Sequence, residues 1–237
     1  MKISYKFNGI LYTTVEELII GLVENWNLGK KELFNGNIKE YFNPNYTEYH
    51  LIINHILEEK ELIDESDDLL FFKWVYLMNK NLIKIYWKNY SFDDLESCMQ
   101  NLKTLIDNKA DMTNFSIYFD MYINKVFSTY LISTLTDSEK YSKVVEIENK
   151  FIFGMPDNDI IDLLLELYFV LASEKVIIIG DKKFLSVEDL VKHLEKLKKG
   201  SFSKLEEFCK NIINADGSIN NQVKSWLLSL GYEDISI

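Results

Sequence analysis

Carboxylates are the side chains whose density in this sequence most invites a chemical reading. Glu58, Glu59, Glu61, Asp64, Glu65, Asp67 and Asp68 fall in one short stretch, Asp93 and Asp94 follow, and Asp157, Asp159 and Asp162 form a third group. Acids gathered in space hold divalent cations, as in two-metal hydrolases, or they present a negative surface to a basic partner. No spacing here selects a set of metal ligands. A docking surface at residues 58–68 is therefore the leading reading, and a metal-dependent enzyme with an acid-only site is an alternative. The plainer reading of the first group is a solvated helix end and loop ahead of an apolar helix.

Other chemistries lack their residues. No His-Glu-x-x-His, Cys-x-x-Cys or His-x-His occurs, so a zinc site has no ligand frame. His50 and His55 stand five apart, which on a helix separates them by about 140°. His193 sits in a lysine-rich helical stretch and reads as a surface residue. Gly-x-Ser-x-Gly and both glycine-rich phosphate loops are absent. Residues 212–223 imitate an EF-hand only through Asp216-Gly217-Ser218-Ile219. Ile212 and Val223 stand where carboxylates are required, so a turn is expected there. Cys98 reads as half-buried and Cys209 as core, both as inert thiols of a reducing cytoplasm. No catalytic residue and no cofactor is expected.

Arginine is missing as well: all 26 basic residues are lysine. That removes the planar, bidentate guanidinium contact to phosphate, carboxylate or guanine. An arginine finger and the commonest base-specific contact to DNA go with it. Frequent Asn and Ile together with absent Arg suggest an AT-rich genome, bacterial or phage. The formal charge is −11, and it is uneven. Residues 1–43 carry five acids and five lysines, residues 44–174 carry 23 acids and 11 lysines, and residues 175–237 carry nine acids and ten lysines. The excess acid lies in the middle, which would repel nucleic acid and anionic membrane but suits a basic protein. A solvated surface that keeps the chain soluble is the simpler account.

Two similar stretches bracket that middle. KFNGILYTTVEELIIGL near one end aligns with IIGDKKFLSVEDLVKHL near the other, Val15 on Val187. Each has a β-rich run, a two-residue turn (Asn8-Gly9, Gly180-Asp181) and a second short run. Those turns match strand twist and predict hairpins. Thr14 and Ser186 then stand as N-caps, with Glu17 and Asp189 three residues on, a capping-box pattern. Leu18, Leu22 and Trp26 share one helical face, as do Leu190, Leu194 and Leu197. The string from Glu16 to Phe42 resembles an accessory segment of bacterial multidomain proteins, a resemblance that implies an interaction role and carries no catalytic residue.

Between the copies the pattern reads as helical throughout. Helices are predicted over 67–87, over 92–108 with Ser91 as cap, over 113–135, over 139–153 capped from Thr136, Asp137 or Ser138, and from Asp157 to about Glu174. Aromatics make up 14% of the chain, which suits either a core or an interface. With 237 residues, 47% hydrophobic and 27% charged, the composition is that of an ordinary globular protein. No apolar run reaches the roughly 18 residues a membrane span needs, and the opening residues do not read as a signal peptide.

The expectation is a mainly α fold with minor β: a helical middle (44–174) flanked by two similar hairpin–helix modules (1–43 and 175–237). The expected function is that of a cytoplasmic, non-catalytic protein-binding accessory or regulator. It would act, for example as an inhibitor or immunity-type protein, through an acidic, aromatic helical surface. A structural homo-oligomer paired through hairpin edges is a further alternative.

Overall fold

The computed structural model describes residues 2–42, 47–134 and 138–232. The fold is mainly helical, with three two-stranded antiparallel sheets among the described residues. The chain forms two compact units, one of residues 1–98 with 117–148, the other of residues 99–116 with 149–237. The expected boundary at 43/44 and the cap candidates Thr136 and Asp137 lie outside the described residues.

The first unit opens with β1 (Lys2–Phe7) and β2 (Ile10–Thr14). Asn8 (φ 46°) and Gly9 (φ 80°) both take positive φ, the type I′ geometry that follows strand twist. Ile3, Tyr5 and Phe7 alternate inward onto α1 (Val15–Glu24). The Thr14 hydroxyl accepts the Glu17 N–H at 3.2 Å, and the Glu17 carboxylate accepts the Thr13 N–H at 3.3 Å. Both close the helix start reciprocally. The chain continues through α2 (Trp26–Phe34), α3 (Asn37–Phe42), α4 (Thr47–Leu62) and α5 (Asp67–Met78).

The helix expected over 67–87 ends at Met78. A third hairpin replaces its second half: β3 (Ile85–Trp87) and β4 (Tyr90–Phe92), joined by Lys88-Asn89. It runs into α6 (Leu95–Asp107). Ser91 lies within β4, and Asp94 is the cap, accepting the Ser97 N–H at 2.6 Å while the Asp94 N–H donates to the Ser97 hydroxyl. The hairpin–capped helix therefore occurs three times. The connection into β3 is held by Tyr76, whose hydroxyl donates to the Lys84 carbonyl and accepts the Tyr86 N–H.

The helix expected over 113–135 is also broken. A 3₁₀ turn (Met112–Phe115) leads into α7 (Ser116–Ile123), and Lys125 at φ 56° separates it from α8 (Val126–Ser133). A left-handed residue cannot continue a right-handed helix. α9 (Ser138–Glu148) completes the first unit. Its core is aromatic: Trp26 packs edge-on against Phe71 (4.9 Å) and Trp87 (5.7 Å), and Tyr76 against Tyr130 (5.1 Å).

In the other unit, α10 (Asp157–Leu171) buries Leu163, Leu164, Leu167 and Tyr168. The Tyr168 hydroxyl donates to the Glu174 carbonyl, just ahead of β5 (Ile177–Ile179) and β6 (Lys182–Phe184). Gly180 turns that hairpin at φ 63°. The Ser186 hydroxyl caps α11 (Val187–Gly200) by accepting the Asp189 N–H at 3.2 Å. α12 (Phe202–Cys209) and α13 (Asn221–Ser229) follow, and the Trp226 indole donates to the Lys175 carbonyl at 2.7 Å. No helix among the described residues is long and apolar enough to cross a membrane.

Two local features carry stability predictions. α6 ends in a Schellman turn: the Ala110 N–H reaches the Leu105 carbonyl, the Lys109 N–H reaches Ile106, and exposed Lys109 is left-handed at φ 49°. Lys109→Gly should stabilise the chain by about 1 kcal/mol, read as a rise in denaturation midpoint. Glu148 is buried at the end of α9, with one carboxylate oxygen accepting the Ser128 N–H and the other without a partner among the described residues. Burial pushes its pKa from 4.5 up to about 7, against the Ser128 and Phe127 hydrogen bonds and the Lys125 charge, which pull it down. The folded state therefore binds this proton more tightly than the unfolded chain, and stability falls as pH rises from about 4.5 through about 7. Glu148→Gln should remove that slope and stabilise the fold at pH 8 by on the order of 1–3 kcal/mol. Thermal melts across pH check it.

Candidate functional site

The structure divides the acidic stretch 58–68 into committed and free carboxylates. Asp68, in the first turn of α5, accepts the Trp26 indole N–H at 2.6 Å and the Lys30 ammonium at 2.5 Å. Burial alone would raise its pKa, but the Lys30 and Trp26 hydrogen bonds outweigh it and hold the carboxyl below the usual range. Asp67 pairs with Lys60 at 2.8 Å. Glu59, on α4, accepts from Lys73 on α5 and lies 3.5 Å from His55 Nε2. Glu58, Glu61, Asp64 and Glu65 are exposed and form no ion pair among the described residues.

These free acids sit beside apolar side chains. On α4, Leu51, His55, Glu58 and Leu62 follow a helical i, i+4, i+7, i+11 spacing, which puts them on one face. Leu51 is 62% exposed, Leu62 83% and the following Ile63 48%. Next to this stripe a groove of about 490 Å³ lies between α4, α5 and α8. Leu51, Ile52, Leu77 and Ile132 give it apolar walls, with His55, Lys73 and Ser133 as its polar groups. Ile132 is itself 52% exposed. The Ser133 hydroxyl is buried without a hydrogen-bond partner among the described residues.

The aromatic part of the expected surface is elsewhere. Trp74, Trp87, Trp226, Tyr76, Tyr118, Phe71 and Phe72 are fully buried, so the rings build cores and the side chains exposed beside the acids are aliphatic. Sequence reasoning did not find the groove. The stripe on α4 was its one readable signal, and its four positions mix apolar, acidic and His residues.

The remaining candidates resolve simply. Asn8, Gly9 and Gly180-Asp181 form hairpin turns, and Thr14 with Glu17 and Ser186 with Asp189 form caps, all of them local to the backbone. His193 is not a bare surface residue: it packs edge-on to Phe208 at 4.8 Å and lies 5.6 Å from Phe184. Cys98 is fully buried rather than half-buried, and burial pushes its thiol pKa up. Cys209 is half-exposed rather than core, and both thiols are free. Asp216 folds back on Ser218, accepting its N–H at 2.9 Å and its hydroxyl at 2.6 Å, so the 212–223 loop is a turn closed on itself. Asp162 accepts from Asn221 at 2.8 Å, and Asp94 is spent on capping α6. Among the described residues no three His, Cys, Asp or Glu side chains converge as a metal site would require.

Comparison with protein-family models, with curated proteins and with solved structures finds no match.

The arrangement at α4, α5 and α8 is one of shape and charge: an apolar groove, a lysine from an ion pair in its wall, and free carboxylates further along α4 and just after it. The wall depends on the Lys73–Glu59 pair, in which the Glu59 side chain is only 15% exposed. Lys73→Met should destabilise the chain by about 2 kcal/mol by leaving a largely buried carboxylate with only His55 beside it, at 3.5 Å. Adding Glu59→Leu should recover most of the loss. Urea midpoints of the single and double variants check both statements.

Proposed function

We propose that this chain is a non-catalytic protein-binding module, an accessory or regulatory protein whose partner presents a basic, amphipathic helical segment. The observation that carries the reading is the exposed apolar stripe and groove of α4, α5 and α8, with exposed carboxylates that form no ion pair among the described residues further along α4 and just after it. Exposed aliphatic side chains gathered around a concave site commonly mark interaction surfaces. A helix laid in such a groove anchors through apolar residues at i, i+3/i+4 and i+7. Lysine or arginine on the partner's flanks would meet Glu58, Glu61, Asp64 and Glu65. Because those carboxylates are solvated, they act on approach and partner choice more than on the depth of binding.

The net acidity of residues 44–174 supports the same reading and disfavours nucleic acid as the partner. Inhibition is one form this activity could take, with the acidic ridge competing for a basic groove. A cytoplasmic setting is compatible with two free thiols.

The test uses defined probes. A fluorescent, lysine- and leucine-patterned helical peptide should bind the full chain at low salt and weaken as salt rises, and a glutamate-patterned counterpart should not bind. Glu58→Lys combined with Glu61→Lys and Glu65→Lys should weaken the basic peptide by about tenfold or more. Leu51→Ser should weaken it with no change in salt slope. Equal binding of both peptides, or no binding by either, rejects the proposal.

A further inference from the structure

The partner that the groove asks for has a counterpart within the chain. α11 is an amphipathic helix whose apolar positions, Leu190, Leu194 and Leu197, follow the i, i+4, i+7 spacing. Its last turns carry Lys192, Lys196, Lys198 and Lys199 against the single acid Glu195. Lys196, Lys198 and Lys199 are exposed and form no ion pair among the described residues, and Lys192 only approaches Asp189, at 3.9 Å.

The apolar side of α11 is incompletely covered. Leu190 alone on this helix is fully buried, Leu194 and Leu197 are half-buried, and Val191 is 45% exposed. Leu185 just before the helix and Phe202 just after it are exposed too. A helix that leaves this much aliphatic and aromatic surface in water has an unused binding face. Its 14 residues span about 21 Å and the 16 of α4 about 24 Å, so the two elements match in length.

We infer that α11 of one copy docks along the α4 groove of a second copy, joining molecules head to tail. The inference rests on the reading of the groove as a helix-docking site. The lysines of α11 meet Glu58, Glu61, Asp64 and Glu65, and exposed Val191, with half-buried Leu194 beside it, covers Leu51 and Ile132. The two surfaces differ, so the contact is heterologous: each copy offers one groove and one helix, and association closes into a reciprocal pair or ring, or continues as a chain, according to the rotation it imposes.

Sedimentation of the full chain over a range of concentrations tests this. At low salt the average mass should climb with concentration above that of the monomer, and high salt should shift it back toward monomer. Two charge-reversed variants sharpen the test. One carries Glu58→Lys, Glu61→Lys and Glu65→Lys; the other carries Lys192→Glu, Lys196→Glu and Lys199→Glu. All six positions are exposed, and unchanged circular dichroism and melting temperature establish that both variants fold. Each alone should associate at least about tenfold more weakly than the natural chain, and an equimolar mixture should recover the association.

A natural chain that stays monomeric at low salt, or a mixture that fails to recover association, overturns the inference. If the chain is monomeric while the lysine–leucine peptide still binds, the groove stands and only its self-occupancy falls. Loss of both removes both.

Discussion

A buried indole N–H is costly to leave without an acceptor, and in the first unit Trp26 and Trp87 each find one, whereas the indole N–H of buried Trp74 has no partner among the described residues. Trp26 and Trp87 lie edge to face in that unit's core, and each donates to an aspartate, Asp68 or Asp120. Each aspartate also holds a lysine, Lys30 or Lys88. Burying a carboxylate without partners would be costly, whereas a carboxylate that accepts from both an indole and an ammonium is stable there. The two Trp–Asp–Lys sets tie α2 to the start of α5, and the β3–β4 hairpin to α7.

That constraint also explains how an acid-rich stretch can be structural and functional at once. The two successive carboxylates that open α5 find different partners. Asp68 turns in to the tryptophan, and Asp67 turns out to Lys60. Glu59 is spent on Lys73. What is left for a partner is the rim, where side chains are solvated and individually weak. Recognition at such a rim comes from the pattern of several charges around an apolar centre, not from any one strong contact.

Much of the fold was legible in the sequence where turn chemistry was explicit. Asn8-Gly9 and Gly180-Asp181 announce hairpins because glycine or asparagine tolerates positive φ. Lys88-Asn89 does not: Lys88 holds φ 54° at the first turn position, where lysine is no signal. The aromatic run ahead of it also continues the apolar pattern of α5 without a break, so helix and strand look alike by periodicity. Lys125 hid a helix break for the same reason. The acidic cluster was legible as a cluster, but its division into inward and outward members depends on Trp26 and Lys30, some forty residues away. The groove was illegible because three helices build it, and no local pattern encodes their meeting.

The threefold recurrence of a tight hairpin running into its own capped helix bears on how the chain reaches its fold. Every contact inside such a module joins residues close in sequence, so little loop entropy is lost in forming it. Hairpins and single helices form within microseconds. Modules beginning at β1, β3 and β5 give the polypeptide three separate places to start, spread along its length. As the chain emerges from the ribosome, each can order before the next has been made. The long-range pairings of Trp26 with Asp68 and of Trp226 with Lys175 then join segments that already have shape.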